Sequence, residues 1–168
     1  MTRPVLVVLI IFAALAIGLL FVGQQASDSS GQVRGPIHWH AHLSLIFEDR
    51  LLAIPADIGI TTGLNIENEV SGVEASPVHT HDETGFLHFE VDDYALRADH
   101  VTLGYFFQIW QRPFSDSCFL GFCTDSTHQL RFFVNGKERL DWRTYPVQDG
   151  DDLVLAWVPA DLPQRSRF

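Results

Sequence analysis

Sulfur and positive charge are scarce in this chain of 168 residues. Met1 is its single methionine, Lys137 its single lysine, and Cys118 and Cys123 its two cysteines. Without a thioether in the domain, a methionine-rich Cu(I) carrier and the His, Cys and Met set of blue-copper proteins are excluded. Lys and Arg number 11 against 21 Asp and Glu, for a formal net charge of -10. That balance argues against a nucleic-acid partner and against docking on an anionic membrane surface. It does not hinder binding of a divalent cation. No residue stands out as a nucleophile, and no phosphate-binding glycine loop is present. In an exported domain, two nearby cysteines predict a disulfide, Cys118–Cys123, ahead of a metal or redox role or free thiols.

What is present is unevenly placed. Residues 5–22 contain only Val, Leu, Ile, Phe, Ala and one Gly, with Arg3 as the only charge before them. As a helix they rise about 27 Å, enough to cross a bilayer core. The run exceeds the roughly 7–15 residues of a signal-peptide core, which favours an anchor over a cleaved signal. The expected organisation is therefore a transmembrane anchor or signal peptide over 1–23 and a flexible tether over 24–35. A His-rich domain follows over 36–160, then a short tail over 161–168. This places the domain on the extracytoplasmic side, periplasmic or extracellular, with the membrane and a membrane-protein complex as expected partners.

From residue 37 the periodicity changes to two. Trp39, Ala41, Leu43, Leu45 and Phe47 alternate with His38, His40, His42 and Ser44, which predicts a two-faced strand over 37–48. A return strand over 51–55 makes a hairpin. Residues 56–72 lack a period and read as a long loop. Residues 76–81 are extended again, residues 82–85 form a turn, and 86–91 alternate. Thr102 reads as a helix N-cap ahead of Leu103, Phe106, Phe107 and Trp110, an apolar stripe ended by Pro113. Leu130 to Val134, the Asn135-Gly136 turn and a strand over 153–158 close the domain. The expected fold class is α+β: a mixed or antiparallel β-grasp-like sheet packed on one helix, preceded by an N-terminal transmembrane helix.

Two stretches carry resemblances. Phe133-Val134-Asn135-Gly136-Lys137 through Asp149-Gly150-Asp151-Asp152-Leu153-Val154-Leu155 resembles the C-terminal half of β-grasp proteins such as the small sulfur carriers, though their Gly-Gly ending is missing. Across most of 37–157, the motifs HxH, HTHDxTGxLHxE, TLGxFFxxW and VNGK resemble a family of uncharacterised exported or membrane-anchored prokaryotic proteins. That resemblance supports the domain limits and implies no activity.

Six of the eight histidines lie in the first half of the domain: His38, His40, His42, His79, His81 and His88. Imidazole binds Zn²⁺ or Cu²⁺ at about 2.0–2.1 Å, so ligands must crowd one point. Strand residues two apart sit about 6.6 Å apart and can pinch one ion, whereas residues four apart, about 13 Å, cannot. One adjacent pair from the first cluster is therefore expected to join His79, His81 or His88, with the others as supporting groups or ligands of a second ion. Asp82 and Glu90 are expected to accept the ligands' other N–H groups. His100 and His128 lack the pattern and are set aside. Imidazole with carboxylate suits copper or zinc.

The expected function is a membrane-tethered metal-binding protein for storage, delivery or service in a membrane complex. The HxH spacing also resembles the three-histidine zinc site of α-type carbonic anhydrases, which keeps a zinc metalloenzyme open as an alternative. A third reading is an interaction domain whose histidines respond to pH without a metal.

Overall fold

The computed structural model describes residues 32–34, 37–65, 68–70, 73–91 and 95–162. In chain order the strands are β1 (Gln32–Arg34), β2 (Ile37–Phe47), β3 (Arg50–Leu52), β4 (Asn68–Val70), β5 (Val73–Ala75), β6 (Val78–His79), β7 (Phe86–Val91) and β8 (Ala95–Arg97). A 3₁₀ turn (Ala98–Val101) leads to the helix α1 (Leu103–Trp110). Then come β9 (Cys118–Phe119), β10 (Phe122–Cys123), β11 (His128–Val134), β12 (Lys137–Arg139) and β13 (Asp152–Pro159).

The main sheet runs β12-β11-β13-β2-β7-β6, with β3 beside the far half of β2. All pairings are antiparallel except β2 with β13, which run parallel over residues 42–47 and 152–157. The alternation seen in the sequence explains the layering. Leu43, Leu45, Leu87, Phe89, Leu153 and Leu155 are buried on one face against Leu103, Phe106, Phe107 and Ile109 of α1. Fully burying each such side chain is worth roughly 1.5–3 kcal/mol, so this seam holds the domain. The histidines of β2 and β7 point to the other face.

The expected fold class is corrected. The α+β expectation, with a transmembrane helix in front, gives way to a mostly β fold. Strands dominate the described residues, and α1, eight residues long, is the only α-helix among them. The predicted N-cap is present, with Thr102 Oγ1 accepting from Tyr105 N, but the left-handed Gln111 (φ 57°) ends the helix after two turns. No helix among the described residues is long and apolar enough to cross a membrane. The apolar run over 5–22 and most of the expected tether lie outside the described residues. The loop expected over 56–72 extends into a short ladder, β4 with β5. The expected disulfide is present: Cys118 and Cys123 are bonded across the β9–β10 hairpin.

Two local devices position the histidine-bearing strands. The loop over 55–64 is bonded to the stretch around β6. Thr80 Oγ1 donates to the Pro55 carbonyl (2.9 Å) and accepts from Ile58 N (3.0 Å), while Ser76 N donates to the Gly59 carbonyl (2.8 Å). On the other side of the sheet, buried Asp151 accepts from Asn135 Nδ2 (2.9 Å), Tyr145 Oη (2.9 Å) and Gln148 N (2.8 Å). Burial, followed by that bond to Asp151, pushes the Tyr145 phenol up to about 12. This turn grips the first half of β2: His40 N donates to Asp149 Oδ1 (3.0 Å) and Gly150 N donates to the His40 carbonyl (2.7 Å).

Candidate metal centre

Register brings the two histidine clusters together. β2, β7 and β6 lie side by side, with His40 opposite His88, His88 opposite His79, and His38 opposite Glu90. Directly opposed residues on one face have Cβ atoms about 4.5–5.5 Å apart. The imidazoles therefore form a continuous run. Ring centroids are 4.9 Å apart for His38 and His40, 4.6 Å for His40 and His88, 4.5 Å for His81 and His88, and 4.8 Å for His79 and His81.

The run contains two convergent sets. One nitrogen each from His79, His81 and His88 lies within 4.8 Å of the others, and so do one atom each from His38, His40 and Glu90. In the first set, His79 Nε2 and His81 Nε2 are 3.2 Å apart. Two imidazole nitrogens on one tetrahedral ion at about 2.0–2.1 Å would stand about 3.3–3.4 Å apart, so this pair fits a shared ion. His79 Nδ1 donates to the Ser76 carbonyl (3.0 Å), which leaves the Nε2 lone pair for an ion. His88 Nδ1 faces Glu90 Oε1 (3.3 Å), and its Nε2 is left in the same way. His79 is 1% exposed, whereas His81 is exposed, so the set has a buried base and an open side.

Burial lowers the pKa of both His79 and His88 from the ordinary 6.5, against opposing pulls from the Ser76 carbonyl on His79 and from Glu90 on both. Desolvation penalises the imidazolium, so these rings are held in the neutral form that binds metal. A group with a depressed folded pKa stabilises the fold above its unfolded value, and that contribution is lost as pH falls through the folded value. Between the histidine range and the onset of Tyr145 titration, from about pH 7.5 to 9, the metal-free chain is therefore expected to hold constant stability, and to weaken as pH falls through about 6.5, well before the carboxylates titrate. Chemical denaturation across this range is the check. Stability that stays flat or rises between about pH 6.5 and 5 contradicts it.

The structure separates the remaining sequence-nominated residues. His42 stands apart, with Nδ1 3.2 Å from Asp152 Oδ1, Nε2 3.1 Å from the Thr84 carbonyl, and its ring against Phe86. Both nitrogens face acceptors, so neither is left for an ion. Asp82 accepts from the Thr84 amide (2.9 Å) and hydroxyl, and shapes the β6–β7 turn. Those bonds lower its carboxyl pKa. Glu90 is better placed than Asp82. Its carboxylate touches His38 Nε2 (3.1 Å) and His88 Nδ1 (3.3 Å) and lies 4.0 Å from His79 Nε2. His128 stacks on Trp157 and His100 on Tyr105, both away from the run.

Two supports escaped the sequence reading. The Ser76 carbonyl that orients His79, and the Asp149–Gly150 turn that grips His40, act through backbone groups, which carry no residue signal. A cavity of about 810 Å³ also escaped it; Asp99, His100, Gln108, Arg112 and Arg143 help to line it, and it does not include the histidine run. No family model, no curated protein and no solved structure matches this chain.

Proposed function

We propose that this chain is an extracytoplasmic copper- or zinc-binding protein, holding its ion on His79, His81 and His88 for storage, delivery or use within a larger membrane complex. The observation that carries this reading is the 3.2 Å approach of His79 Nε2 to His81 Nε2, with a His88 nitrogen in the same cluster. The Cys118–Cys123 disulfide supports an oxidising compartment. All-imidazole ligation suits Cu²⁺ or Zn²⁺ and disfavours Mg²⁺ or Ca²⁺.

A three-histidine zinc enzyme ranks second. Three protein ligands with an open position would suit it, and a zinc-bound water has a pKa of about 7. A catalytic site also needs a substrate pocket, and the described cavity is lined by other residues.

The test is metal affinity of the untagged full chain. His79→Ala and His81→Ala are each expected to weaken Zn²⁺ or Cu²⁺ binding at least tenfold, about the loss seen even for removal of a supporting partner. His42→Ala is expected to leave it unchanged. Equal affinity in all three variants and the parent ends the proposal.

A further inference from the structure

Glu90 stands between the two histidine sets. Its side chain is 13% exposed and sits in the middle of the imidazole run. Its two oxygens face different clusters: Oε1 is 3.1 Å from His38 Nε2, and Oε2 is 4.0 Å from His79 Nε2.

The second set has its own ligand geometry. His38 and His40 are two apart on β2, with rings 4.9 Å apart, and Glu90 is the cross-strand partner of His38. One atom from each of the three falls within 4.8 Å of the others. The strand is fixed at this point, since the Asp149–Gly150 turn holds both the amide and the carbonyl of His40.

We infer that the centre is binuclear: a second divalent ion, Cu²⁺ or Zn²⁺, binds His38, His40 and Glu90, and the Glu90 carboxylate is shared with the ion on His79, His81 and His88. This rests on the proposed metal-binding function and deepens it. Glu90 becomes a ligand between two ions, where the sequence alone suggested a supporting partner. Two-metal sites place their ions about 3.5–4 Å apart, the span of one bridging carboxylate. Five imidazoles and one carboxylate leave coordination positions for water on the open side.

The experiment is a stoichiometric titration of the untagged, metal-stripped full chain with Zn²⁺ alone and with Cu²⁺ alone, read by elemental analysis after desalting. The parent is expected to retain about two equivalents and His38→Ala about one. His38 is 66% exposed, so its loss leaves the fold intact. In the two-copper form, coupling through the shared carboxylate is expected to reduce the integrated electron paramagnetic resonance signal below that of two isolated ions. Glu90→Gln is expected to restore the full signal per copper or to lose the second ion. One equivalent in the parent, unchanged by His38→Ala, overturns the second ion and leaves the proposed function standing. A single equivalent lost in both His38→Ala and His81→Ala also overturns it, in favour of one shared ion. Two coppers with full uncoupled intensity overturn the bridging role of Glu90. A parent that retains no metal ends both readings.

Discussion

Adding Zn²⁺ or Cu²⁺ at about a thousandfold over its dissociation constant is expected to stabilise the metal-free chain by about 4 kcal/mol. A ligand that binds only the folded state adds stability in proportion to the logarithm of one plus its concentration over its dissociation constant. Here the folded state is what brings β6 and β7 together, so the unfolded chain cannot assemble the same site. For a domain of this size the midpoint of thermal unfolding rises by about 10–20 °C. Binding to isolated histidines of the unfolded chain subtracts from that figure. If His79→Ala weakens binding a hundredfold, the stabilisation at the same metal concentration falls to about a third. His128→Ala serves as the control, because its ring stacks on Trp157 outside the run. A midpoint that neither ion moves contradicts a folded-state site.

The second large effect is expected far from any imidazole. Gly59 has φ +78°, and a Cβ there would lie 2.7 Å from the Val78 carbonyl and 3.1 Å from Ile109 Cγ2. Gly59→Ala is expected to destabilise the fold by about 2–5 kcal/mol, combining left-handed strain with overpacking. Gly121 separates the two contributions. It has φ +92° with nothing within 4 Å of a built Cβ, so Gly121→Ala is expected to cost only about 1–2 kcal/mol. The difference should also reach the metal. Gly59 accepts from Ser76 N, and the Ser76 carbonyl fixes the tautomer of His79. Metal affinity is therefore expected to fall in Gly59→Ala, measured below its unfolding transition, and to stay at the parental value in Gly121→Ala. Equal stability losses in the two variants would sink the close-contact account.

Where a residue pattern was long enough to show its period, the local structure was legible. β2 and β7 followed from strict alternation, α1 from its cap and apolar stripe, and the turn before β12 from Asn135-Gly136, both at positive φ. The short strands were not legible, since β4, β5, β9 and β10 have two or three residues each, too few to define a period. The fold class failed for the same reason. One good helical stripe suggests a helical layer, while the many short ladders carry no comparable signal. Convergence of the two histidine clusters was expected from type and spacing, with an adjacent pair of the first cluster joined by one ring of the second, whereas the convergent sets are His79, His81 and His88 and, separately, His38, His40 and Glu90. His42 shares the face of His38 and His40 in sequence. The turn after β6 supplies the Thr84 carbonyl, and β13 supplies Asp152, which together bind it elsewhere. Such long-range partners cannot be read from a single strand.

The parallel contact between β2 and β13 has a temporal meaning. A chain is synthesised from its N-terminus, so β2 emerges more than a hundred residues before the strand that covers its flank. Until then residues 42–47 of β2 present an open edge, able to pair with any other extended segment. Such distant pairing also makes folding slow compared with a helical bundle. Nascent or truncated chains lacking β13 would carry every histidine of the run beside that unpaired edge.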